Sequence, residues 1–173
     1  MNIHVAPVAF SNTQLLDRIM GTLRHTFKTG VNKISLSIDT DSLYSNERKQ
    51  YYSTGFLEQS IPRTSDINGK IILLTSLDIY VPVLTFLFGE AQLNGKHSIV
   101  SVFRLHEEFY SGVTDNELLY ERAIKEIYHE LGHNFGLIHC RDWDCVMHSS
   151  NSIEQVDLKG KDYFKNCKVQ MVI

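Results

Sequence analysis

Nothing in this 173-residue chain approaches the roughly 20 consecutive apolar residues that a membrane-crossing helix needs. The first ten residues, Met1 to Phe10, lack both a basic leader and a long apolar core, so they do not read as a secretory signal. Three cysteines are too few, and wrongly numbered, to form a disulfide framework. These absences predict a cytoplasmic protein with no membrane partner. Charge of one sign is also lacking: 17 basic against 20 acidic residues leave a net −3, which argues against a broad grip on nucleic acid. No repeat, low-complexity tract or interdomain linker interrupts residues 1–173, which read as a single domain with enough chain for a substantial core.

What is present is concentrated in one stretch, His129-Glu130-Leu131-Gly132-His133-Asn134-Phe135-Gly136-Leu137-Ile138-His139. On a helix, His129 and His133 stand one turn apart on one face and can reach a single ion. Glu130 lies about 100° further round, able to touch a water beside that ion without displacing a histidine. Gly136 can adopt the left-handed backbone that ends a helix, and the turn brings His139 back as a third ligand. Three protein ligands leave the fourth tetrahedral position for water, the pattern of a catalytic zinc. Chance occurrence of the extended motif is on the order of one in ten million per start position, at residue frequencies of roughly 2–7%. The competing reading is a surface helix with solvated histidines. Of the other histidines, His4, His25, His97 and His106 read as surface or structural, while His148 adjoins the motif.

The surroundings predict a helix from about Asp115 to Phe135. Thr114-Asp115-Asn116-Glu117 reads as a capping box, and Tyr120, Ile124, Ile127, Leu131 and Phe135 give one apolar face. Further elements are a strand at Ile3–Phe10, a helix at Thr13–Phe27, a half-buried strand at Lys33–Asp39 and a helical patch at Tyr52–Gln59. Lys70–Ser76 reads as a strand covered on both faces. Thr85–Ala91 and His97–Arg104 read as strands joined by a hairpin at Asn94-Gly95. The fold class is α+β, a mixed sheet of about five strands packed by helices.

His139 is followed by Cys140, Cys145 and Met147, and the pattern HExxHxxGxxHCxxxxCxM resembles the archaemetzincins, a branch of the metzincin zinc peptidases. The segments Arg48–Leu57, Lys70–Gly89 and Ser98–Leu105 look like the body of that family. The resemblance implies a metzincin-like, zincin-like fold: a twisted sheet above the site, an active-site helix, and a small C-terminal subdomain. The division falls into an N-terminal subdomain, 1–136, and a C-terminal one, 137–173. It also implies that His129, His133 and His139 bind the catalytic zinc, that Glu130 is the general base, and that Met147 lies in the turn beneath the metal. By the same likeness an edge strand above the cleft pairs with extended peptide, and Phe88, Gly89, Glu90 and Ala91 are the candidates.

One departure concerns a second, structural zinc. The family places a Cys-x-x-Cys pair near the C-terminus to complete a four-thiolate site, where this chain has Lys165 and Lys168 around a single Cys167. Either that zinc is absent, or Cys140, Cys145 and Cys167 recruit a fourth ligand such as His148 or an aspartate. Absence is favoured, because lysine at both positions would repel the ion.

The expected function is zinc-dependent peptide hydrolysis, with peptide or protein as the only expected partner. Zinc lowers the pKa of its bound water to around 7, and Glu130 takes that proton and delivers it to the departing amine. Two alternatives stand beside it. One is a zinc-binding protein of the same fold with little or no proteolysis. The other is a metal-dependent endoribonuclease, a class that shares the histidine spacing but lacks glutamate after the first histidine.

Overall fold

A computed structural model describes residues 1–171. The chain runs β1 (Asn2–Pro7), α1 (Thr13–Phe27), β2 (Gly30–Lys33), β3 (Tyr44–Ser45), β4 (Gln50–Tyr52), α2 (Ser53–Arg63), β5 (Lys70–Thr75), β6 (Ile79–Tyr80), β7 (Gly89–Ala91), β8 (His97–Ser101), α3 (Glu108–Ser111), α4 (Asn116–Asn134), α5 (Ile153–Leu158) and α6 (Lys165–Gln170). The main sheet has five strands in the order β2-β1-β5-β8-β7. All its pairs are parallel except β7, which closes one edge antiparallel to β8.

Period-two alternation in the central strands divides the core. Ile72, Leu74 and Val100 face one side and pack with α1 and α4, through Leu16, Ile19, Leu23, Leu119, Ile124 and Leu131. Ile71, Leu73 and Ile99 face the other side and pack with Phe56 and Leu57 of α2. Strand β5, at the centre, therefore has no polar face. Each of its buried aliphatic side chains contributes about 1.5–3 kcal/mol. Residues 137–171 add Leu137, Val146, Met147, Ile153, Val156 and Tyr163 to the α1/α4 side.

Several expected elements shift. The strand expected at Lys33–Asp39 is instead β2, three residues earlier. Ile34, Leu36 and Ile38 still pack on the α2-side core, but after Ile34 N–H donates to Val5 O the segment leaves the sheet. The strand expected at Thr85–Ala91 shortens to Gly89–Ala91. Before it, Leu84–Leu87 belongs to a loop that Arg48 fastens by donating to Pro82 O and Leu84 O, at 3.0 and 2.8 Å. The capping box also fails. Asp115 is the cap, accepting from Leu118 N–H at 2.9 Å, while Glu117 is drawn outward to Arg18, 2.6 Å away. A small second sheet, β3-β4-β6, has strands too short to announce themselves by alternation. Among the described residues, no helix is long and apolar enough to cross a membrane.

Candidate metal centre

Helix α4 carries the site, and long-range contacts hold it at both ends. In its middle, Arg122 is buried, donating to Leu105 O, Glu107 and Asp157 and so tying α4 to α5. At its C-terminus the helix closes in a Schellman turn. Gly136 has φ +90°, its N–H donates to His133 O at 2.9 Å, and Leu137 N–H donates to Gly132 O at 2.9 Å. The β7–β8 hairpin clasps the same end. Asn94, itself at φ +52°, donates its N–H to His133 O, and Asn134 Nδ2 donates to Gln92 O and His97 O. Lys70 Nζ caps Asn134 O at 2.7 Å, where a cation favours the helix dipole.

That turn brings three histidines together. His129, His133 and His139 bring their rings within 4.7–5.2 Å of one another, and one ring nitrogen of each lies within 4.8 Å of the others. His129 Nδ1 donates to Val146 O and His133 Nδ1 to Leu137 O, both at 2.8 Å. Both bonds fix the tautomer, leaving two Nε2 lone pairs facing each other at 3.1 Å. Bare lone pairs at that distance repel, so the arrangement fits a cation between them. Burial, followed for His129 and His139 by the Lys159 charge, lowers the pKa of all three histidines, and His129 the most. Neutral imidazole is the form a metal takes.

Glu130 is buried, 5% exposed. Its pKa is pushed well above the ordinary carboxylate range by burial and then by the Glu126 charge, with Lys159 opposing. A divalent cation beside it would reverse that sense. Its carboxylate lies against Gly89 of β7, where a Cβ would meet Oε1 at 2.6 Å.

Met147 is fully buried directly beneath the helix, filling the space that a side chain on Gly132 would need. Tyr163 joins it there, donating from its hydroxyl to Tyr128 O at 2.6 Å. Cys140, Cys145 and Cys167 do gather, their sulfurs all within 4.8 Å and Cys145 to Cys167 at 3.7 Å. Lys165 and Lys168 point to solvent. His148 is not in that cluster: its ring stacks on Trp143 at 3.8 Å. Three thiols are thus in place for a soft cation, with no fourth ligand in the cluster among the described residues.

A cavity of about 460 Å³ opens beside the histidines. Leu84–Ala91 form one wall, Ser149–Asn151 another, with Glu126, His129, Glu130, His133 and His139 along α4 and the turn beyond it. Of the expected edge residues, Gly89, Glu90 and Ala91 lie in β7, while Phe88 precedes the strand and is buried against the α4 side. Phe88 O accepts from Ser101 N–H and Gln92 N–H donates to His97 O, both inward. By the two-residue period, the backbone amides of Gly89 and Ala91 face the open edge.

Two residues at this site escaped the sequence reading. Glu126 lies one turn before Glu130 and could have been placed on the same face by spacing alone. Lys159, fully buried with Nζ 2.8 Å from Glu126 Oε1, carries no local signal, because its position follows from the packing of residues after α5.

Residues 9–172 match peptidase family M54. The chain is 40% identical to the archaemetzincin of Methanocaldococcus jannaschii over 168 residues, covering 96% of this chain and 90% of that one. With the Archaeoglobus fulgidus archaemetzincin it is 35% identical over 169 residues, covering 96% of each. The crystal structure of the latter, complexed with malonate, superposes with a TM-score of 0.83 at 32% identity, over 99% of this chain and 100% of that one. A zinc-dependent peptidase from Methanocorpusculum labreanum superposes with a TM-score of 0.85 at 28% identity, over 97% and 98%.

Proposed function

The chain belongs to peptidase family M54, the archaemetzincins, a family of zinc metallopeptidases, and we propose that Glu130 is the general base of its peptide hydrolysis. The observation that carries this reading is the convergence of His129 Nε2, His133 Nε2 and His139 in one cavity with the buried Glu130 carboxylate. Zinc held by the three histidines would supply Lewis acidity, polarising the scissile carbonyl and acidifying a water. Glu130 accepts the proton of that water as it attacks, and passes it to the amine that leaves. His129 and His133 are held in the ligating tautomer by Val146 O and Leu137 O, so two carbonyls of the chain beyond α4 set the geometry.

The outward amides of Gly89 and Ala91 support a role for β7 in pairing with an extended peptide across the cavity. We also propose one zinc per chain, in the histidine site. The sulfur cluster offers three ligands where a closed structural site needs four.

Glu130→Ala tests the assignment. The variant retains its zinc, measured by atomic emission, and loses cleavage of a peptide library by at least about a hundredfold. Cleavage at the wild-type rate would remove Glu130 from the mechanism.

A further inference from the structure

The hydrolytic step leaves part of the cavity unused. Glu126 stands three residues before His129 and four before Glu130, so its side chain shares their face of α4 and lines the same cavity. It is 3% exposed, and it faces a lysine that is not exposed at all: Lys159 Nζ lies 2.8 Å from Oε1. The ion pair engages Oε1, an atom closed off from the cavity, whereas among the described residues Oε2 has no hydrogen bond and is not closed off. Lys159 Nζ otherwise reaches only His148 O, at 3.5 Å. Ser150 Oγ, from another wall of the cavity, is buried and unpartnered as well.

We propose that Glu126, held in place by Lys159, is the base of a specificity subsite that takes a hydrogen-bond-donating substrate side chain, basic or amide, next to the scissile bond. The inference rests on the peptidase reading. A buried carboxylate with unmet acceptor capacity costs free energy unless a donor arrives. Here Oε2 is the unmet acceptor, on a side chain that lines, with Ser150, the space a peptide would occupy. No lysine or arginine lines that space, and its other carboxylates are Glu90 and Glu130. A lysine, arginine or glutamine side chain therefore meets acceptors and favourable charge, whereas a glutamate meets like charge. Lys159 is the positioning residue. Without its ammonium, the Glu126 carboxylate would lose the one charged partner that holds it, and the subsite would lose its fixed acceptor.

The test measures binding to the zinc-loaded protein by calorimetry, so it needs no turnover. Acetohydroxamate probes the metal site alone. Two series of short hydroxamates then carry Lys, Gln, Leu or Glu on one or the other flank of the chelating group. In one series the wild type binds Lys and Gln on the order of tenfold more tightly than Glu. Lys159→Met shrinks that ratio and Lys159→Arg restores it. Single variants leave one buried charge unpaired and can fail to fold, so the double variant Glu126→Gln/Lys159→Met, which removes both charges, is the second arm. Its Lys-to-Glu ratio falls towards one. A folded double variant with the wild-type ratio, or a wild type with no preference in either series, overturns the subsite while leaving the peptidase reading intact. No binding of acetohydroxamate overturns the peptidase reading, and the subsite with it.

Discussion

Gly89 on the edge strand and Glu130 on the active-site helix touch as backbone to carboxylate: the space of a Gly89 side chain is already filled by the Glu130 head group. A strand glycine ordinarily weakens a sheet, so its presence here marks a close approach.

Gly89→Ala therefore has a definite outcome. A methyl would sit 2.6 Å from Oε1 and 2.7 Å from Cγ, and the carboxylate must move. The variant keeps its zinc and its unfolding temperature within a few degrees, while kcat falls by about a hundredfold, the scale of a 1 Å misplacement. Unchanged kcat would mean that the contact does not place the base.

Gly132 meets Met147 in the same manner, but in the floor. Gly132→Ala drives Cβ into the Met147 thioether and against the Tyr163 ring. Overpacking of this kind costs about 1–3 kcal/mol, read as a lower midpoint in chemical denaturation. Met147→Leu, which keeps the volume, costs less than about 1.5 kcal/mol. The opposite ranking would show that the floor tolerates volume and depends on sulfur.

Metal removal separates the two clusters. A chelator strips one zinc per chain and abolishes peptide cleavage, while far-ultraviolet circular dichroism is kept, because the packing of β5 against α1 and α4 is made by apolar side chains that ligate nothing. Cys167 reacts slowly with iodoacetamide at neutral pH, since burial and its sulfur neighbours push its thiol up to about 12. The chelator leaves that rate unchanged. Acceleration on chelation, with a second zinc released, would show the three sulfurs holding an ion.

His97 gives the pH dependence of stability. It is buried under the hairpin, with Nε2 2.7 Å from Thr64 Oγ1 and Nδ1 3.1 Å from Gln92 Oε1. Burial, then the Lys96 charge, lowers its pKa from 6.5 to about 4. A depressed folded-state value means that the unfolded chain binds the proton first. The contribution is complete above pH 6.5 and is lost as pH falls towards about 4. Thermal unfolding followed across that window shows the loss, and His97→Gln flattens it. Equal pH slopes in both proteins would acquit His97.

The site was legible where its residues are close in sequence. His129, Glu130, His133, Gly136 and His139 act through helical spacing and one turn, and both are local geometry. The helix Thr13–Phe27 was legible for the same reason, with five buried positions at helical steps. The capping box misled because Thr114 and Glu117 satisfy a local pattern, yet Arg18 from α1 offers Glu117 a stronger partner. The edge strand was read too long because Thr85–Phe88 has strand-forming residues, whereas Gln50 Nε2 donates to Thr85 O and Leu87 N–H to Ile79 O, drawing that segment to the second sheet.

By itself the sequence determined the helix that carries His129, Glu130 and His133, the turn that brings His139 back beside them and the five-stranded class of sheet, because each follows from periodicity or fixed spacing along one segment. Tertiary structure alone decided that Gly89 lies on Glu130, that Met147 fills the hollow under Gly132, that three cysteines meet without a fourth ligand, and that Lys159 reaches Glu126. Those are contacts between segments far apart in the chain. Their partners are chosen by how the sheet, α4 and the C-terminal segment pack, and no local pattern encodes that choice.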